Sequence, residues 1–189
     1  MKRRQQLLLL STLALIIVLF IILVRMGAPQ AIVDALGEEN AYLAIFLIGA
    51  LGGVSTFTSA TYFAVVASFA ATQLNIYAIA IAGGLGSAIG DTLVYYLGRE
   101  GRAVTNKKAT AYIQRIRERL EKTNKLYVPI IVFCYAAFIP LPNEFITIPT
   151  GLSGINYKWV LPALILGNIT ITLLALLLLP TALSWLFWI

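Results

Sequence analysis

The sequence predicts an all-α polytopic membrane protein, an inverted repeat with two re-entrant helical hairpins and about three full transmembrane helices. Of its 189 residues, 60% are hydrophobic and only 12% are charged, whereas roughly 25% are charged in soluble domains. Some apolar runs are long enough to cross a hydrocarbon core of about 30 Å. Two others are interrupted near their middle by glycine, proline or polar residues, which predicts helices that do not cross.

Charge and composition exclude several functions. The net charge is +6, and the basic residues flank apolar segments, where topology signalling is their simplest role and contact with anionic lipid headgroups is a second one. The basic stretch is short and lies between membrane segments, so we expect no binding of nucleic acid. With no histidine and one cysteine, the chain cannot form an internal disulfide or a zinc or haem site built on those residues, so we expect no metal and no cofactor. No nucleophile–base pair or phosphate loop is present, so we predict that the protein is not an enzyme.

Residues 1–25 form the predicted N-terminal transmembrane anchor. An apolar run of about 18 residues begins at Leu7, after three basic residues, and exceeds the ~7–15 residues of a cleaved signal peptide. We therefore expect a retained helix with its N-terminus in the cytoplasm. Residues 26–189 form the predicted membrane domain.

The first repeat is predicted over residues 41–98. Residues 41–51 and 61–71 are apolar arms that each cover about half of the hydrocarbon core at ~1.5 Å per residue. Glycine, serine and threonine between them predict the tip of a re-entrant hairpin that opens outward. A full span follows, and it carries Gly86 and Gly90 on one face, which predicts close helix packing.

Residues 99–125 are predicted to form a cytoplasmic amphipathic helix. This segment holds nine basic and three acidic residues, and its apolar Ile113, Ile116 and Leu120 fall on one helical face. Such a helix suits either the cytoplasm or the membrane surface.

The second repeat is predicted over residues 126–189. Its hairpin breaks at Pro140 and Pro142, since two prolines so close together do not fit inside a regular helix. The second arm ends near Gly151, and we expect this hairpin to enter from the cytoplasmic side. A full helix with a central Gly167 follows.

A shift of 81 residues relates the two halves. Each half is a broken hairpin, a short turn with asparagine, and a full helix with a central glycine, and the predicted directions of the two halves are opposite. This is the plan of many secondary transporters, with the site where the broken elements meet. The residues that coincide are Asn75 with Asn156, Ala82 with Ala163, and Gly86 with Gly167.

Glu144 is the sharpest candidate for a substrate or proton-coupling residue, because it is an acid in an apolar hairpin beside Asn143. A carboxylate at membrane depth is costly and usually serves protonation or ion coupling. The alternative is that the tip reaches the wet interface, where Glu144 stabilises the start of the second arm. Asp91 is the second candidate: it receives a proton, or it forms an interfacial salt bridge with Arg99 or Arg102.

Arg99 and Arg102 are candidates for binding a phosphate headgroup, because the guanidinium group matches the geometry of phosphate. Topology signalling is the alternative. Asn143, with Asn168 and Thr170, is a candidate for lining a polar path, and hydrogen bonding between helices would use the same residues.

Two motifs carry a family resemblance. Gly-Ser-Ala-Ile-Gly-Asp, ending at Asp91, is followed by Tyr-Tyr-Leu-Gly-Arg-Glu-Gly-Arg, ending at Arg102. These motifs resemble the DedA family, also called the VTT or SNARE-associated Golgi protein family. The second half is similar at Phe-Ile-Pro, ending at Pro140, and at Gly151 and Gly167. The resemblance covers roughly residues 41–179 and is that of a divergent small member.

The resemblance implies two facing re-entrant hairpins and lipid movement between leaflets, with polyprenyl phosphates or phospholipids as substrates and with proton coupling. It also implies roles for Asp91, Arg99 and Glu144. The chain departs from the family pattern, because residues 55–63 hold no acid and the usual arginines are missing near Ala137 and Asn143.

The predicted function is that of a lipid flippase or scramblase in the plasma (inner) membrane of a prokaryote. Its expected partners are a membrane lipid, in particular an anionic one, and protons; homo-oligomer formation stays open. One alternative is an exporter of small solutes or drugs on the same scaffold. The other is a non-transporting membrane-organising protein that acts through its basic helix.

Overall fold

The computed structural model describes residues 18, 22, 26–54, 56–101, 127–139 and 141–187. Most of the predicted N-terminal anchor and of the predicted amphipathic helix, together with Arg102 and Pro140, lie outside the described residues. Every secondary-structure element of the described part is helical, which confirms the all-α prediction. In the ranges that the structure describes, the α-helices with given bounds are α1 (Ala28–Leu36), α2 (Glu38–Gly52), α3 (Thr56–Ser68), α4 (Ile76–Gly101), α5 (Tyr127–Phe138), α6 (Glu144–Ser153) and α7 (Tyr157–Phe187).

Two of these helices, α4 and α7, are long and apolar enough to cross a membrane. The qualifying stretches are Ile76–Glu100 and Tyr157–Leu178, which contain 25 and 22 residues. At ~1.5 Å per residue, each exceeds the ~30 Å thickness of a hydrocarbon core. Both helices begin after an asparagine whose side-chain oxygen accepts backbone hydrogen bonds: Asn75 from Tyr77 and Ala78, and Asn156 from Lys158.

The first predicted hairpin is a pair of helices with a shorter break than the sequence indicated. Helix α2 begins at Glu38, and α3 already begins at Thr56, so the residues up to Ala60 are helical rather than part of a polar loop. A helix satisfies its backbone N–H and C=O groups internally, which favours the shortest break in an apolar environment. A 3-10 turn at Phe69–Ala71 extends α3.

The second predicted hairpin is also a pair of helices, α5 and α6. The chain leaves α5 after Phe138, and Glu144 is the first residue of α6 rather than part of the break. The Pro142 carbonyl accepts hydrogen bonds from the Tyr135 hydroxyl and the Phe145 N–H, which fixes the turn. Gly154 ends α6 with a φ of +71°, a conformation that favours glycine.

The same packing pattern occurs in both halves. The first short helix of each half packs on the long helix of its own half: α2 on α4, and α5 on α7. The second short helix packs on the long helix of the other half: α3 on α7, and α6 on α4. The long helices pack against each other and run antiparallel, because Thr92 contacts Tyr157 while Gly84 lies against Ile169. This arrangement places both helix breaks beside the crossing of α4 and α7.

Glycines allow the close approach of these helices. A Cβ atom at Gly86 would lie 2.0 Å from the Phe46 carbonyl oxygen, and one at Gly90 would lie 2.6 Å from the Ala50 carbonyl oxygen. The backbone of α4 therefore lies directly on that of α2, which is the contact that small residues allow in apolar surroundings.

Gly167 and Gly151 likewise allow close helix packing, at the contacts of α7 with α5 and of α6 with α4. A Cβ atom at Gly167 would lie 2.6 Å from the Cβ atom of Ala136 on α5. A Cβ atom at Gly151 on α6 would lie 2.3 Å from the Tyr95 carbonyl oxygen on α4. Gly86 and Gly167 are thus equivalent packing positions of the two halves.

The substitution Gly86→Ala should force α2 and α4 apart, because the obstructing atom is a backbone oxygen that cannot turn away. We expect it to lower the free energy of unfolding by about 1–3 kcal/mol, which thermal unfolding in detergent would measure. The exposed substitution Ala71→Val is the control and should change the unfolding temperature little. Equal effects of the two substitutions would contradict the close packing of α2 on α4.

Candidate functional site

A buried carboxylate lies where the two long helices cross. The side chain of Asp91, on α4, is 1% exposed. Its Oδ2 atom accepts a hydrogen bond of 2.7 Å from Asn143 Nδ2 and a second one of 2.7 Å from Asn168 Nδ2. Asn143 immediately precedes α6, and Asn168 lies on α7. One carboxylate thus joins the first half of the chain to two elements of the second half.

The amide groups extend this cluster. The Oδ1 atom of Asn168 accepts a hydrogen bond of 2.9 Å from Asn143 Nδ2 and one of 3.4 Å from the Ser87 hydroxyl. Asn143 is half-buried, while Asn168 is 2% and Ser87 is 6% exposed. Because a buried polar group is costly unless it is hydrogen-bonded, these contacts fix the orientation of each amide.

A second buried pair continues the cluster toward α3. The hydroxyl groups of Tyr62 and Thr172 are 2.7 Å apart, and Thr172 donates a bond of 2.6 Å to the backbone carbonyl of Asn168. Since Thr172 uses its hydrogen in that bond, Tyr62 is the donor between the two hydroxyls. Hydrogen bonds therefore connect α3, α4, the residue that precedes α6, and α7. We call these residues the polar cluster: Tyr62, Ser87, Asp91, Asn143, Asn168 and Thr172.

The polar cluster follows the 81-residue shift. Ser87 falls on Asn168, and the two side chains hydrogen-bond to each other across the crossing. The same shift turns the pair Tyr62–Thr172 into Asn143–Asp91, both of which are hydrogen-bonded. The two halves thus place polar groups at matching positions, but only the α4 side carries a carboxylate.

Asp91 does not pair with Arg99, in contrast to one of the sequence-based alternatives. The two residues are eight positions apart on α4, about 12 Å along the axis, and the Arg99 side chain is exposed. Arg99 therefore lies near the end of α4, away from the cluster. The other suggested partner, Arg102, lies outside the described residues.

Glu144 lies beside the polar cluster rather than inside it. Its side chain is half-buried at the first position of α6, where the positive end of the helix dipole stabilises a negative charge. Its carboxylate is close enough to interact electrostatically with Asp91 and with Tyr135. The structure therefore brings together Glu144, Asn143 and Asp91, the three residues that the sequence analysis singled out as substrate or proton-coupling candidates.

Three members of the polar cluster were not singled out from the sequence: Tyr62, Ser87 and Thr172. A signal for them was present, because the 81-residue shift relates Ser87 to Asn168 and Thr172 to Asp91. Thr170, by contrast, donates to the Leu166 carbonyl of its own helix and takes no part in the cluster.

The described residues include no group of three or more histidine, cysteine or acidic side chains that could hold a metal ion. The chemistry available to the polar cluster is that of one carboxylate with amide and hydroxyl groups. Such a site can hold a proton or bind a polar group that enters the apolar interior.

A double-mutant cycle between Asp91→Asn and Asn143→Ala tests the central hydrogen bond. We expect non-additive losses in the free energy of unfolding, with a coupling of about 0.5–3 kcal/mol, because Asn143→Ala removes, and Asp91→Asn weakens, the same charge-assisted hydrogen bond. The measurement is thermal or denaturant unfolding in detergent. The matched cycle of Asp91→Asn with Thr170→Val should be additive, and coupling of equal size in both cycles would argue against the network.

Comparisons with models of protein families, with curated proteins and with solved structures found no match to this chain. The resemblance to the DedA family therefore stays a prediction from the motifs that end at Asp91 and Arg102. The chemistry of the candidate site follows from its own residues, a buried carboxylate held by two amides at the crossing of two long apolar helices.

Proposed function

We propose that this protein is a membrane transporter that moves a lipid between leaflets, with the polar cluster as its coupling site. One observation carries the proposal: a buried carboxylate, Asp91, is hydrogen-bonded at the point where two broken helical pairs meet two long apolar helices. Membrane transporters commonly place substrate and coupling sites where the broken helices of two repeats meet.

The distribution of polarity supports a membrane location. Large apolar side chains face outward along α4, with Ile81, Ile89 and Leu93 between 46% and 54% exposed, while Asp91 is 1% exposed. A water-soluble protein rarely exposes an apolar surface of this extent. We place the chain in the plasma (inner) membrane of a prokaryote, with α4 and α7 crossing the bilayer.

The short helices support two re-entrant hairpins. Helices α5 and α6 contain 12 and 10 residues, about 18 and 15 Å, so neither crosses a hydrocarbon core of ~30 Å. Their break is covered by protein, because Asn143 is bonded to α4 and α7. Irregular backbone at membrane depth needs this kind of cover.

The carboxylate supports a coupled mechanism. An ionised side chain at membrane depth is expensive, so a buried acid there is functional by default. Protonation of Asp91 would remove the charge that holds the Asn143 and Asn168 amides and would loosen the second hairpin. Half-buried Glu144, next to Asn143, provides a route for the proton between the interface and Asp91.

Two further features support a lipid as the substrate: the position of Arg99 and the family resemblance. Arg99 lies exposed at the end of α4 and offers a guanidinium group to a phosphate. The resemblance to the DedA family adds polyprenyl phosphates and phospholipids as the lipid classes to test first.

The test is a sided lipid-translocation assay in proteoliposomes that contain the full-length protein and a fluorescent phospholipid. Asp91→Asn should reduce the translocation rate roughly 10- to 150-fold, because a hydrogen bond to a charged group contributes about 1.5–3 kcal/mol. The control is Asp34→Asn at an exposed carboxylate that accepts a bond from Gln30, and it should retain the wild-type rate.

Wild-type rates in Asp91→Asn and in Glu144→Gln, with both proteins folded, would overturn the site assignment. Flux of small solutes without lipid movement would show that the substrate is a small solute rather than a lipid. Absence of any transport by the wild-type protein, with either class of substrate, would refute the proposed function.

A further inference from the structure

Helix α6 carries a row of buried hydroxyl groups that starts at the polar cluster. Its buried polar side chains are Thr147, Thr150 and Ser153, which are 0%, 3% and 7% exposed. They follow Asn143 at spacings of four, three and three residues, so they lie along one side of the helix. We call these three residues the hydroxyl row. It extends about 15 Å along α6 from the Asn143 amide, which binds Asp91.

Ser153 differs from the other polar residues of the interior. Of the buried side-chain oxygen and nitrogen atoms in the part of the chain that the structure describes, Ser153 Oγ is the one without a hydrogen-bond partner. A buried hydroxyl group is costly without a partner, and buried water molecules usually bind such groups. Ser153 therefore indicates a water site at the far end of the hydroxyl row.

The other two hydroxyl groups of the row use their hydrogens within α6. Thr147 donates to the Asn143 carbonyl over 2.9 Å. Thr150 donates to the carbonyls of Ile146 and Thr147, each also over 2.9 Å. The threonine oxygens thus present lone pairs, which accept hydrogen bonds from water or from a hydrated proton. An anion needs donors instead, so the row selects against it.

The spacing of the row suits single water molecules. Side chains three or four residues apart on a helix have Cβ atoms about 5–6 Å apart. One water molecule with two hydrogen bonds of about 2.8 Å spans this distance. A chain of single waters can therefore join neighbouring hydroxyl groups of the row.

The far end of the row lies level with the end of α4. A Cβ atom at Gly151 would lie 3.0 Å from the backbone nitrogen of Arg99, and the Tyr95 hydroxyl donates to the Ile155 carbonyl. In the predicted topology this is the cytoplasmic side. The row thus leads from the depth of Asp91 to one surface of the membrane.

We propose that the hydroxyl row conducts protons between Asp91 and the side of the membrane where α4 ends, through water molecules held at its oxygens. The inference rests on the proposed function and names the path by which the coupling site is protonated. A proton enters at Ser153, each water accepts one proton and passes one on, and the Asp91 carboxylate becomes a neutral carboxyl group. Glu144 connects Asp91 with the interface on the half-exposed side of α6, and the row does so on its buried side.

The groups around Asp91 favour the arrival of a positive charge. The titratable side chains that interact electrostatically with it are Glu144 on α6, Tyr62 on α3 and Tyr157 on α7. Within the described ranges, no basic side chain is among them. Tyrosine keeps its hydrogen at neutral pH, so the charges at this end of the row are those of carboxylates.

The test follows the protonation of Asp91 after a pH jump, by time-resolved infrared spectroscopy of the full-length protein in liposomes. The carboxyl C=O band of Asp91 is identified by its loss in Asp91→Asn. We expect Thr150→Val combined with Ser153→Ala to slow the rise of this band at least about tenfold, because the interrupted water chain lacks hydrogen bonds that the moving proton needs. The final height of the band should not change, because the hydrogen bonds of the carboxylate stay intact.

Two variants control for effects on folding. Thr150→Ser keeps the hydroxyl group and should retain the wild-type rate. Thr170→Val is the matched control, because Thr170 also donates to a carbonyl of its own helix but lies outside the row. Equal rates in the wild type and the double variant would overturn the proposal. Equal slowing by Thr170→Val, or the absence of an Asp91 band in the wild type, would do the same.

Failure of this proposal is distinguishable from failure of the proposed function. Lipid translocation by the wild type, with unchanged protonation rates in the double variant, would remove the proton path and leave the transporter. Slowed protonation in the double variant, without any translocation by the wild type, would leave the proton path and remove the transporter.

Discussion

The hydrogen bonds to the Asp91 carboxylate are the constraint on which the interior depends. A buried negative charge must be hydrogen-bonded or neutralised, because the desolvation free energy of an unpaired buried charge exceeds the net stability of a folded protein. Asn143 and Asn168 meet this need, and each comes from a different element of the second half. The break between α5 and α6 is thereby held against α4 and α7, so satisfying one charge also sets the position of a hairpin.

Close helix packing makes these short bonds attainable. Gly86 and Gly90 let the backbone of α4 lie on α2, and Gly84 does the same toward Ile169 on α7. With larger side chains the helices would stand further apart, and Ser87 could not reach Asn168 across their crossing. The interior therefore combines small residues, which set the distance between helices, with amide and hydroxyl groups, which use that distance.

The two halves share one packing arrangement but carry different polar side chains at the matching positions. Each second short helix crosses to the other half and makes one polar contact there: Tyr62 with Thr172, and Asn143 with Asp91. Only the second contact includes a group that changes charge. In the proposed function, a proton at Asp91 would therefore act on the second helical pair more strongly than on the first.

The sequence by itself determined the helical class and predicted the two long apolar helices and the approximate positions of the two breaks, since apolar run length, glycine and proline act locally; the exact ends of the short helices differ from the prediction. It also indicated Glu144, Asn143 and Asp91, because acids and amides stand out in apolar segments. Only the tertiary structure decided that Tyr62 and Thr172 join them and that Arg99 does not. Those contacts join residues far apart in the chain, and they depend on helix distance and crossing, which no local pattern specifies.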